Sequence, residues 1–155
     1  MSIDTRMQEA GIELPSPPAP GGQYQPVVVA ERFAYVSGQT PVRDGVPTVT
    51  GKLGAGVSVE EAQEAARLAT LNCVAQLKKR LGSLDRVERV VKLSGYVASG
   101  EGFGQQSLVV NGASAVLEEI FGEAGQHARV ALGVAELPGG APVEVEIVAL
   151  VRSDA

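Results

Sequence analysis

The last quarter of the chain restricts the fold more than any other stretch. Across 143–151, Val143, Val145, Ile147, Ala149 and Val151 alternate with Glu144, Glu146, Val148 and Leu150. A period of two places the first set on one face of a strand and the second set on the other. Upstream, the run 129–135 alternates in the same way, Val130, Leu132 and Val134 against Arg129, Ala131, Gly133 and Ala135. Pro138-Gly139-Gly140 lies between the runs and reads as a turn region. If the two strands pair as neighbours, the Arg129 guanidinium and the Glu144 carboxylate sit near one cleft. Such a pair would unite an anion-binding fork with an acid/base group.

The rest of the chain supplies the partners of those strands. A short helix is expected over 2–11, with Asp4 near its start and Gly11 as its stop. The stretch 14–22 carries Pro15, Pro17, Pro18 and Pro20 and reads as an extended connector. Strands follow over 25–31, around Val27-Val28-Val29, and over 33–37, joined at Glu31-Arg32. Arg43-Asp44-Gly45 is a turn, and 46–50 is expected as a short edge strand. Ser58-Val59-Glu60-Glu61 is a capping box that opens a helix running to about Leu81, where Gly82 stops it. Its face of Ala62, Ala65, Ala66, Ala69, Cys73 and Leu77 is small enough to lie close on a sheet. A strand over 87–98 and a helix from about 103–105 to 121 complete the order β-β-(β)-α-β-α-β-β. This is an α+β fold with two helices on one face of the sheet. Val148 and Leu150 stay on the other face, which two helices cannot cover, so self-association is the economical solution.

A chain of 155 residues suits one domain, read as an N-terminal extension over 1–20 and a single domain over 21–155. The net charge of −5 and a basic run limited to Lys78-Lys79-Arg80 argue against a nucleic-acid partner. That run suits the end of a helix, where cations complement the dipole. Cys73 is the single cysteine, so no intramolecular disulfide forms, and its place in a helical pattern suits a small buried hydrophobe. No apolar leader or membrane-length run is visible, which makes a cytoplasmic location the default and a membrane partner unexpected. His127 is the single histidine, which excludes a two-His metal site; it is expected as a solvated loop residue. No metal-ligand cluster is apparent. Gly100-Glu101-Gly102-Phe103-Gly104 lacks the Lys-Ser/Thr of a phosphate-binding loop.

Four features together resemble the YjgF/RidA family of reactive-intermediate (enamine/imine) deaminases, parts of which carry the label endoribonuclease L-PSP. They are Gly22-Gln23-Tyr24; Tyr35-Val36-Ser37-Gly38-Gln39-Thr40-Pro41; Asn111; and Ala128-Arg129 through Leu137-Pro138 with Val143-Glu144-Val145-Glu146-Ile147. They run in the family's order from about 21 to 152. The resemblance implies a chorismate-mutase-like fold assembled as a homotrimer with clefts between subunits. It implies a cofactor-independent hydrolysis of small 2-imino/2-enamino acids to a 2-oxo acid and ammonia, with no metal. By the same resemblance, Arg129 holds the substrate carboxylate and Glu144 serves the attacking water. Tyr24 closes over the substrate, Ser37 and Gly38 line the cleft with backbone, and Asn111 and the Ala131 backbone bind substrate.

The chain departs from the family pattern where Ala131 replaces a frequent cysteine and Ser114 stands where an aromatic is usual. Gln23 also replaces a proline before Tyr24. These departures keep two other readings open. One is a non-catalytic trimeric protein that binds small carboxylates in a regulatory role; the other, weaker for an acidic chain, is an endoribonuclease.

Overall fold

Two helical crossovers set the topology. The computed structural model describes residues 1–153, so the last two positions of the expected domain lie outside it. Helix α1 (Ile3–Glu9) starts where the Ser2 side chain accepts the Thr5 N–H at 3.1 Å. It is no loose tail, because Met7 and Ile12 are buried in the main core. The proline-rich stretch after it has no regular structure, as its composition requires.

Strands β1 (Val27–Ala30) and β2 (Phe33–Gln39) form a hairpin closed by Glu31 and Arg32, with Glu31 at φ +53°. Next come β3 (Val42–Arg43) and β4 (Val46–Pro47), joined through Asp44 and Gly45 at φ +52° and +77°. Two positive φ values in a two-residue loop match the twist of a tight hairpin. The expected edge strand over 46–50 is thereby corrected: β4 pairs with β3 alone, in a ribbon separate from the main sheet. A second ribbon joins β5 (Lys52–Leu53) to β6 (Gly56–Val57).

Helix α2 (Val59–Leu81) opens with the expected capping box. The Ser58 hydroxyl accepts the Glu61 N–H at 3.1 Å, and the Glu61 carboxylate accepts the Ser58 N–H at 3.0 Å. Strand β7 (Val87–Ala98), helix α3 (Gln106–Phe121), strand β8 (Ala128–Val134) and strand β9 (Val143–Val151) follow.

The main sheet has the order β1-β2-β9-β7-β8. The crossover β2–α2–β7 leaves a slot one strand wide, which β9 fills antiparallel to both neighbours. The crossover β7–α3–β8 places β8 parallel to β7 at the sheet edge. The two C-terminal strands are therefore not neighbours. β7 stands between them, which corrects the pairing that their closeness in sequence suggested.

Both long helices lie on one face, as expected. Val143, Val145, Ile147, Ala149 and Val151 are buried there, against Ala62, Ala66, Ala69 and Cys73 of α2. Glycines let the layers approach: a Cβ on Gly95 of β7 would come within 2.6 Å of Val110 of α3. The Cys73 thiol donates to the Val145 carbonyl at 3.3 Å, and burial pushes its pKa up, so it behaves as the small hydrophobe expected. The other sheet face is open. Val28, Tyr35, Val130 and Leu132 expose apolar surface there, Leu132 to 50% and Tyr35 to 49%. Among the described residues no helix is long and apolar enough to cross a membrane.

Candidate functional site

An irregularity in β2 builds the first half of the site. Val36 lies opposite Ile147 but Gln39 lies opposite Val145, so β2 spends one residue more than β9 over this step. A bulge of this kind bends the strand and re-aims its groups. Here it falls on Ser37 and Gly38. The Ser37 hydroxyl donates to the Gln25 carbonyl at 2.7 Å, and the buried Gln39 amide donates to the Ser37 carbonyl at 3.1 Å. A Cβ on Gly38 would overlap Oε1 of Glu144 and lie 3.0 Å from its Cδ. Glycine is what lets the carboxylate rest over the bulge.

Glu144 opens into a cavity of about 730 Å³ whose walls include Pro20, Tyr24, Ser37, Gly38 and Gln76. Gln76, buried in α2, donates to the Pro18 carbonyl at 2.7 Å and so fixes the proline-rich segment as one wall. The Tyr24 hydroxyl accepts the Gly21 N–H at 3.2 Å, folding that loop inward. Burial is the main cause that raises the Glu144 pKa, and the charge of Glu146 adds to it. Glu146 itself accepts from the Tyr96 hydroxyl at 2.7 Å, a bond that raises the tyrosine's pKa. Of the two acids it is Glu144 that rests over the bulge.

Arg129 belongs to a different face. It lies opposite Leu93, which lies opposite Ile147, and both of these are buried under the helices. Glu144 lies opposite Tyr96, and Tyr96 opposite Leu132, on the open face. Within one chain the two groups are thus on opposite sides of the sheet, which corrects the expectation of a single cleft from adjoining strands. The physical reason is the interposed β7 together with the odd spacing of residues 129 and 144 in the cross-sheet register.

The guanidinium is held from α3. Its Nη1 donates to Oδ1 of Asn111 at 2.9 Å and to the Ser114 hydroxyl at 3.0 Å. Its Nη2 donates to the carbonyl and the hydroxyl of Ser107, at 3.0 and 2.7 Å. His127 is partly buried, not the solvated loop residue expected: its Nε2 meets the Ser114 hydroxyl at 2.9 Å and its Nδ1 meets the Gly125 carbonyl at 2.6 Å. Ala131 shares the Arg129 face and packs on the core. The expected residues therefore sort into two groups, Tyr24, Ser37, Gly38 and Glu144 in one, Asn111, Arg129 and Ala131 in the other.

Reading the sequence missed Ser107, Ser114 and Gln76 as parts of these groups. A signal existed for two of them: positions 107, 111 and 114 recur at helical spacing and form one polar stripe on α3. Gln76 carried only the oddity of an amide within a buried helix face.

Residues 4–149 match the family described as "YjgF/chorismate_mutase-like, putative endoribonuclease". The chain belongs to the YjgF/RidA family. Its relatives include Protein TCP17 of Trypanosoma cruzi, 47% identical over 145 residues, covering 93% of this chain and 91% of that one. The crystal structure of Atu1372, a protein of unknown function from Agrobacterium tumefaciens, is similar at 42% identity with a TM-score of 0.89. That match covers 97% of this chain and 92% of that one. The fold is also that of Escherichia coli TdcF, solved with bound serine, at 24% identity and a TM-score of 0.64, over 91% and 97% of the two chains. Among the described residues of this YjgF/RidA member, no group of three or more His, Cys, Asp or Glu side chains is placed to hold a metal ion.

Proposed function

We propose that this chain is a cofactor-independent hydrolase of small imino and enamino acids, working as a homotrimer whose clefts unite the two half-sites from neighbouring copies. The observation that carries the reading is Glu144, a carboxylate of raised pKa resting over the β2 bulge in a cavity lined by Tyr24. Arg129, on the edge strand, would face such a cavity on a second copy. The open apolar face with Tyr35 and Leu132 supplies the surface for assembly.

The chemistry asked of the protein is modest because an iminium carbon is already electrophilic. Arg129 holds the substrate carboxylate, and positioning provides most of the acceleration. Water attacks the imine carbon while Glu144 takes its proton; the C=N electron pair moves to nitrogen and a carbinolamine forms. Glu144 then returns the proton to nitrogen. The C–N bond breaks, ammonia leaves, and the carbinol hydroxyl loses its proton to give the oxo acid. A carboxyl group whose pKa is raised by burial suits both transfers.

A second reading has one observation in its favour. Both terminal nitrogens of Arg129 are already engaged within the chain, which suits a fork that shapes a carboxylate-binding cleft without turnover. TdcF, a fold relative, was solved with serine, a small carboxylate. RNA is the weaker ligand for a chain of net charge −5.

The test generates an imino acid in situ with an amino-acid oxidase and follows its hydrolysis. Acceleration by the wild type that is lost in both Arg129→Ala and Glu144→Ala is the result expected. Binding of an oxo acid without acceleration favours the second reading, and no binding at all sinks both.

A further inference from the structure

We infer that Ser114 and His127 form a lock behind Arg129 that sets the plane of its guanidinium before a substrate arrives. The inference rests on the deaminase reading only for the use to which the lock is put. A carbonyl oxygen can only accept, so the Nδ1 of His127, 2.6 Å from the Gly125 carbonyl, carries the ring proton. In the neutral ring Nε2 is then an acceptor, and the Ser114 hydroxyl, 2.9 Å away, must donate to it. With its hydrogen committed, Ser114 offers Arg129 only a lone pair, which the Nη1 donor fills at 3.0 Å. One assignment satisfies every group: Arg129 to Ser114, Ser114 to His127, and His127 to the backbone of Gly125.

The two sides of the fork are held differently. Nη1 is shared by the exposed Asn111 and by Ser114, which is backed by His127; the latter two are partly buried, in a chain that ends on a buried glycine. Nη2 is held by Ser107, which is exposed in the first turn of α3. A substrate carboxylate can therefore replace Ser107 at Nη2 and take the Nε hydrogen beside it, while Nη1 stays fixed. Ser114 and His127 are positioning residues in this scheme, and Ser107 is the group that yields. Gly125 is constrained to match: a Cβ there would lie 2.7 Å from the Leu117 carbonyl carbon, so its carbonyl is set by close packing against α3.

The experiment records proton–nitrogen spectra of arginine side chains in isotope-labelled protein, with the Arg129 signals assigned from an Arg129→Lys sample. Free guanidinium groups rotate quickly and average their hydrogens, whereas a fork held at both terminal nitrogens shows them apart. The wild type should give resolved Arg129 signals. Ser114→Ala leaves Nη1 on Asn111 alone, and His127→Ala removes the backing of Ser114. Both should move the signals toward averaging and raise KM for the imino acid about tenfold with little change in kcat, the size of one lost bond to a charged group. Ser114→Thr and His127→Gln keep a hydroxyl and an acceptor, and should restore both readouts; they also answer the case in which an alanine variant fails to fold. Arg129 signals that are the same in all five proteins would overturn the lock. Signals that respond as expected in a protein without turnover uphold the lock and remove the deaminase reading instead.

Discussion

Gly38 and Glu144 share one small volume: any side chain on the first would overlap the carboxylate of the second, with a Cβ 3.0 Å from its Cδ. The bulge in β2 and the acid on β9 are thus a single device, in which the missing side chain of one residue makes room for the carboxylate of the other.

Gly38→Ala should for that reason act on chemistry more than on folding. The carboxylate borders an open cavity and can swing aside, so the cost in stability should stay near 1 kcal/mol. Its displacement by about an ångström should lower imine turnover roughly 100-fold. A turnover close to that of the wild type would show that the position of Glu144 over the bulge is not used.

The pH dependence of Glu144 has a defined sign. Its pKa in the folded chain is raised above the ordinary value of 4.5, first by burial and then by Glu146. A raised carboxyl pKa means that the folded state binds the proton more tightly than the unfolded state. Stability from this group is present at low pH and is lost as the pH rises from about 4.5 through the folded pKa. Glu144→Gln removes the ionisation and should melt higher than the wild type at neutral pH. Thermal melts at several pH values test this, and the advantage should shrink as the pH falls through the folded pKa toward 4.5 and be gone below that. An advantage that grows on acidification would contradict the assignment.

These features differ in how far they could be read before the fold was known. The capping box at Ser58 and Glu61, the stop at Gly82 and the alternation in β9 are local, and local chemistry decides them. The burial of Val145 and Ile147 against an alanine-rich helix face followed from period and residue size alone. What failed was pairing across the sheet. Residues 129–135 and 143–151 are close in sequence and look like a hairpin, yet β7, more than thirty residues upstream of β8, lies between them. Parallel neighbours need a crossover of a dozen or more residues, usually a helix; β7–α3–β8 supplies one, and β8 takes its place beside β7 instead of forming the hairpin with β9. The faces of Arg129 and Glu144 depend on the same register, so one missed pairing separated the whole site. The hydroxyl of Ser114 and the ring of His127 meet through the tertiary seat of α3, which no local pattern records.

Gly112 measures how closely the two long helices are seated. A Cβ there would lie 2.8 Å from the Gln63 carbonyl carbon, and a backbone atom cannot rotate away as a side chain can. Gly112→Ala gains about 1 kcal/mol of helix propensity and loses about 3 kcal/mol to overpacking. The net loss of about 2 kcal/mol should lower Tm by roughly 4–8 °C for a chain of this size. An unchanged or higher Tm would mean that α2 and α3 separate freely.

Leu132→Glu probes the open face. The side chain is already 50% exposed in the single chain, so its replacement should change folding little. A charge in the middle of the proposed apolar interface is costly, and the proposed trimer should dissociate. Light scattering should then report 16.0 kDa in place of about three times that mass for the wild type. A variant that keeps the wild-type mass would mean that assembly, if it occurs, uses another surface.

Placement of Arg129 and Glu144 on opposite faces gives the proposed shared cleft its most direct test. In Arg129→Ala trimers every cleft lacks the fork, and in Glu144→Ala trimers every cleft lacks the acid, so each should be inactive alone. Unfolding and refolding the two together lets subunits combine at random. A cleft is then complete when the copy that lends the fork is the Glu144→Ala chain and the copy that lends the acid is the Arg129→Ala chain. With equal amounts of each, about one cleft in four meets that condition, so the mixture should recover roughly a quarter of wild-type turnover. If each chain instead used its own Arg129 and Glu144, no mixed cleft could hold both, and mixing would recover nothing.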